Sequence, residues 1–172
     1  MESYKLSRKD ILDWREEFPI LKKTVHLGNC SQSPLSRRTQ RAVQSYLSSL
    51  EETGMDWGQW MERVTGAKAQ FAQLINADVD EISVTMSVSD ATAGIASSLR
   101  PDSDRYRVVT TEVEFPTIGQ IWLANESRGI AVDFIRPTED RVCLHSVEEQ
   151  VDRRTLLLST THVSYQTGTR HD

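Results

Sequence analysis

The apolar positions of this chain follow two regimes, and the change comes near residue 80. Before it the spacing is helical. Ile11, Leu12, Trp14 and Phe18 mark a helix over residues 7–18 that Pro19 stops. Leu35, Ala42, Val43, Tyr46, Leu47 and Leu50 share one face of a second helix, ended by Gly54. Trp57, Trp60, Met61, Val64, Ala67, Phe71, Leu74 and Ile75 recur at three- and four-residue steps. They predict a third helix that ends at Asn76 and turns this stripe toward a core. A short extended piece, Val25, His26 and Leu27, leads into the polar loop of residues 28–34.

Beyond residue 80 the apolar runs become short and alternate with helical segments. Strands are predicted at 82–85, 106–110, 130–135 and 155–159. Helices are predicted at 90–99, 117–127 and 146–151, the middle one with Ile118, Ile121 and Trp122 inward. This alternation indicates an α/β fold: three layers, with a mainly parallel sheet and flanking helices. Ligands in such sheets gather outside the carboxyl ends of the strands, here the segments 86–89, 112–117 and 160–172. The last of these is a polar, Gly-containing loop of a kind that feeds another helix and strand. The reading therefore expects an incomplete domain, the front part of a larger enzyme.

Composition narrows the classes. The 172 residues suffice for a sizeable core, and the 38% hydrophobic residues are clustered rather than diluted. Net charge is −5 with a sequence pI near 5.4 and a mean hydropathy of −0.46. Lys and Arg are scattered, which disfavours nucleic acid or an anionic membrane as partner. Cys30 and Cys143 form no metal or redox pair and read as free thiols. The polar amino terminus lacks a signal-peptide core and no apolar run approaches a membrane span, so the expected location is cytoplasmic.

The three strand-exit segments carry the candidate chemistry. At 84–94 a predicted strand turns through Ser87, Val88 and Ser89 into a helix start, where first-turn N–H groups and the helix dipole suit a phosphate. The same residues also read as a plain N-cap by Ser89 or Asp90. At 111–117 Phe115 precedes Pro116 and Thr117, placed either to stack on a flat heteroaromatic ligand or to cap the core. At 159–172 Thr161, His162, Tyr165 and Thr167 surround a turn at Gly168. There is no GxGxxG, Walker A, HExxH or GxSxG sequence. Neither the four histidines nor the pair Glu112 and Glu114 shows a partner for metal or acid–base work.

Taken together, these segments resemble the class V group of pyridoxal-phosphate (PLP) enzymes of fold type I, which holds cysteine desulfurases, kynureninases and related aminotransferases. The kynureninase-like branch is matched by the turn at Ser87, Val88 and Ser89 and by Phe115-Pro116-Thr117. The run from Thr161 to Gly168 fits its Thr-His-Val-x-Tyr-x-Thr-Gly pattern, with Asp172 shortly after. The opening loop from His26 to Ser31 is similar to the family's own opening pattern. The likeness runs over residues 18–172.

The resemblance implies PLP as cofactor, a small amino-acid substrate and a homodimer. It implies an arm and opening loop over residues 1–35 and the first part of the PLP-binding large domain over 36–172. Ser87, Val88 and Ser89 would bind the phosphate, Phe115 would stack on the pyridine ring, and Thr161 would contact the phenolic oxygen or phosphate. Ile118 stands where the kynureninase turn carries Asp, which leaves desulfurase, lyase, epimerase and aminotransferase chemistry open. Family enzymes also hold PLP through a lysine Schiff base. Lys5, Lys9, Lys22, Lys23 and Lys68 all precede the phosphate turn, so no catalytic residue is nominated and the chain alone is expected to be inactive. The alternative is a non-catalytic phosphate- or nucleotide-binding α/β module, or a remnant of such an enzyme.

Overall fold

Helix α1 (Arg8–Glu16) begins where Ser7 and Asp10 cap each other: Ser7 Oγ accepts from the Asp10 N–H, and the Asp10 carboxylate accepts from the Ser7 N–H at 2.9 Å. The computed structural model describes residues 7–29 and 31–171. Cys30, Lys5 and Asp172, which figure in the sequence reading, lie outside the described residues. A 3-10 turn over Pro19–Lys22 follows α1, as the Pro19 stop requires. Helix α2 (Arg37–Glu52) is capped by Ser36 and α3 (Trp57–Ile75) by Asp56, each side chain accepting an amide three residues on. Asn76 ends α3 in the left-handed conformation, φ 57° and ψ 48°, one of the few non-glycine residues suited to it.

The chain divides into two compact units at Ser83/Val84. In the first unit, Tyr46 of α2 and Trp60 of α3 approach with ring centroids 5.9 Å apart, and Trp57 meets Trp60 edge-on at 5.2 Å. The apolar stripe of α3 was expected in the core and is not there. Ala72 is buried, but Trp57 remains 64% exposed and Leu74 78%. Periodicity shows which face of a helix seeks apolar cover without supplying the cover.

The second unit holds the sheet. Helix α4 (Val88–Ser98) precedes strand β1 (Arg107–Thr111), then α5 (Pro116–Ala124), β2 (Ala131–Ile135), α6 (Leu144–Gln150) and β3 (Thr155–Leu158). The strand order is β2-β1-β3 and both pairings are parallel, as helix-linked strands demand. Val108 lies in register with Val132 on one side and Leu157 on the other. That row faces α4 and α5, where Ala96, Ile118, Trp122 and Ile130 complete the core. Central position explains why β1 is buried from Val108 to Thr111.

Residues 82–85 differ from the strand read in the sequence: they form no strand, and Met86 beyond them is 96% exposed. A strand is defined by its neighbour, and among the described residues none pairs with this segment. No helix among the described residues is long and apolar enough to cross a membrane.

Candidate functional site

Ser87 is the N-cap of α4, with its Oγ accepting from the Asp90 N–H at 3.1 Å and its carbonyl accepting from the Ala91 N–H. Ser89 and Asp90, the caps read from the sequence, lie inside the first turn. With Asp90 and Ala91 satisfied, the first-turn amides of Val88 and Ser89 are the donors a helix start leaves without an intrahelical acceptor. Ser87 and Val88 are exposed to solvent.

Phe115 is fixed from both sides of the backbone. It is the N-cap of α5 with extended geometry, φ −61° and ψ 131°, and Pro116 occupies the first helical position, where its missing N–H costs nothing. The Glu114 carboxylate accepts the Phe115 N–H at 2.9 Å. Glu112 pairs with Arg136 at 3.2 Å. These two acids, without partners in the sequence reading, hold the turn in place. The Phe115 ring is 50% exposed and does not cap the core.

The third segment is a small hairpin joined by a bridge between Val163 and Arg170, with Gly168 at φ +70° in its turn, where a side chain would be strained. Ser164, 1% exposed, is its anchor. Its N–H donates to Thr169 O and its carbonyl accepts from Gly168 N–H, while its Oγ faces the Gln166 and Thr167 amides at 3.3 Å. Thr161 Oγ1 donates to Val163 O at 2.9 Å, which occupies its proton and leaves its lone pairs to accept.

The hairpin brings Tyr165 to Phe115, with ring centroids 5.1 Å apart and planes at 72°. Both rings line a cavity of about 310 Å³ shared with Thr111, Gly119, Gln120 and Phe134. Thr111 Oγ1 is buried in its wall with no hydrogen-bond partner among the described residues. Of the five residues expected to bind the cofactor, Phe115 alone is in this lining, joined by Tyr165 from the third candidate segment. Ser87, Val88, Ser89 and Thr161 lie elsewhere in the second unit, although α4 packs against α5. The sequence reading missed Thr111, Gly119 and Phe134. A glycine in the middle of an otherwise apolar helix was the available signal for Gly119.

The family comparison decides what this arrangement belongs to. The sequence model described as aminotransferase class V matches residues 32–172. The chain belongs to the aminotransferase class V family. An uncharacterized aminotransferase of Bacillus subtilis is 35% identical over 156 residues, covering 90% of this chain and 41% of the relative. A probable cysteine desulfurase of Methanothermobacter thermautotrophicus is 31% identical, covering 93% and 41%. This class V chain thus spans about two fifths of the length of the curated relatives it matches. Two solved structures share its fold at 20% identity. One is a mutant of C-DES with glycine covalently linked to its PLP cofactor (TM-score 0.81, 91% of this chain and 43% of that one). The other is the apo cysteine desulfurase of Thermococcus onnurineus (TM-score 0.79, 100% and 44%). The incomplete α/β reading agrees with this class V assignment, with its parallel sheet and covering helices.

Proposed function

We propose that this class V chain supplies the phosphate- and ring-binding part of a PLP-dependent enzyme acting on a small amino acid. The half-exposed Phe115 ring, held on a rigid turn over a cavity at the carboxyl end of β1, carries this reading. An exposed aromatic with a fixed backbone is suited to a flat ligand, because stacking then costs little conformational entropy.

The residues present fit such a cofactor. The open first-turn amides of Val88 and Ser89, beside the Ser87 hydroxyl, match a phosphate dianion at the positive end of the α4 dipole. Phe115 offers a face to the pyridine ring. Thr161, with its proton engaged, would accept a hydrogen bond from a cofactor edge. When bound, PLP supplies an electron sink for a carbanion on the amino acid. The chain's part is to hold the phosphate, orient the ring and keep solvent from its stacked face.

Within the family, the names of the relatives point to aminotransferase or cysteine desulfurase chemistry; the kynureninase-like likeness stays a motif-level expectation. The same proposal includes a homodimer, a cytoplasmic location, the 1–35 arm and the 36–172 large domain. All five lysines precede Val84, so residues 1–172 alone are expected to bind PLP without a covalent link and to turn over no amino acid.

A calorimetric titration of this chain with PLP and, separately, with ATP tests the reading. PLP binding that weakens about three- to tenfold on Phe115→Ala is the expected outcome. ATP binding tighter than PLP would instead favour a nucleotide-binding module. Borohydride trapping of PLP on a lysine of this chain would overturn the claim of inactivity.

A further inference from the structure

We infer that Tyr165 is a positioning residue that sets the plane of the Phe115 ring, and through it the tilt of a cofactor stacked there; this rests on the reading of Phe115 as the stacking face for PLP. A phenylalanine ring that is half exposed turns about its χ angles unless something restrains it. The Phe115 backbone is restrained by Pro116 and the Glu114 carboxylate, but neither touches the rotation of the ring. The contact that does is the T-shaped approach of the Tyr165 ring, at 5.1 Å and 72°. In that geometry the positive edge of one ring meets the negative face of the other, which favours a single orientation over a freely spinning one.

The restraint is useful only if Tyr165 is itself held, and its backbone is. Ser164, directly before it, is buried and ties the turn through its N–H, carbonyl and hydroxyl to Thr169, Gly168, Gln166 and Thr167. The next rung, His171 N–H to His162 O at 2.9 Å, closes the hairpin below. Tyr165 is 49% exposed, so burial does not explain its place. Its packing on Phe115 at the cavity does. The two rings come from segments fifty residues apart, and the hairpin serves to bring the second to the first.

The test uses the full-length protein loaded with PLP, comparing the parent with Tyr165→Ala, Tyr165→Leu, Tyr165→Phe and Phe115→Ala. Three measurements are made: cofactor affinity, circular dichroism in the cofactor absorption band, and the unfolding midpoint of the apoprotein. Tyr165→Ala should weaken PLP binding about three- to tenfold and change the induced dichroism. Tyr165→Phe, which keeps the aromatic ring, should restore both. Tyr165→Leu covers the case in which the alanine variant does not fold, and should behave like it. An unchanged dichroism band and affinity within twofold for Tyr165→Ala or Tyr165→Leu would overturn the inference while leaving the cofactor reading intact. So would a Tyr165→Phe variant as defective as alanine, since the hydroxyl would then be the active group. Full PLP affinity in Phe115→Ala would remove the cofactor reading itself.

Discussion

Arg107 reaches Asp133 across the β1–β2 pair, Nε to Oδ2, at 2.7 Å. The two are diagonal neighbours on one face, since Asp133 stands in register with Val109. The same guanidinium turns its Nη1 to Asp152 at 2.9 Å, in the approach to β3. One side chain on the central strand thereby joins β2 and the loop that leads into β3, and at 12% exposure it is screened far less than a surface pair.

This cluster predicts an acid limit to stability. Hydrogen bonding from Arg154, together with its backbone N–H and the nearby Arg107, lowers the Asp152 carboxyl from an ordinary 3.8 to about 2. A carboxyl depressed in the folded state contributes stability that is fully present above pH 3.8 and is lost as the pH falls toward 2. Unfolding midpoints of the parent and Asp152→Asn should differ at neutral pH and converge in that window. A gap as wide at pH 2 as at neutral pH would show that the carboxylate charge is not the cause.

Trp122 is 2% exposed and fills the space between α5 and the sheet. Trp122→Ala should cost about 3–5 kcal/mol in urea unfolding. Its indole N–H is buried without a partner among the described residues. Trp122→Phe removes that orphan donor and should cost less than about 1.5 kcal/mol despite the smaller ring.

Gly119 lets α5 approach β2. A Cβ placed there would sit 3.3 Å from Cε1 of Phe134. Alanine should change stability by less than about 1 kcal/mol, because its better helix propensity offsets a small shift of that ring. Gly119→Val should cost about 1–3 kcal/mol. Adding Phe134→Leu should recover part of the loss, and a strictly additive double variant would refute the contact.

Ser87→Ala should lower the unfolding free energy of the apoprotein by about 1 kcal/mol, because the hydroxyl caps α4. Ser87→Gly should cost only a few tenths. An alanine variant as stable as the parent would show that the cap is dispensable.

Local signals were legible in the chain because they act through nearby backbone. Pro19 ends the α1 region, Asn76 closes α3 in a left-handed turn, and Pro116 starts α5, each as the sequence indicates. The inward face of α5 was readable from Ile118 and Trp122, since one stripe on one helix needs no knowledge of its partner. Phe115 could be singled out as a candidate because an aromatic before a proline at a strand exit is a local pattern.

Pairing and cover were settled by the tertiary structure alone. Residues 82–85 have strand composition but find no neighbour among the described residues, and the α3 stripe has core composition but stays largely exposed. Nothing in the separate segments announced that Tyr165 would meet Phe115 in a T-shaped contact, or that Arg107 would hold one acid from β2 and another from the loop before β3. Composition and spacing determine what a segment can do with its own neighbours along the chain. Which distant surface it meets depends on how the strands and helices pack, and that is where the candidate site acquired its geometry.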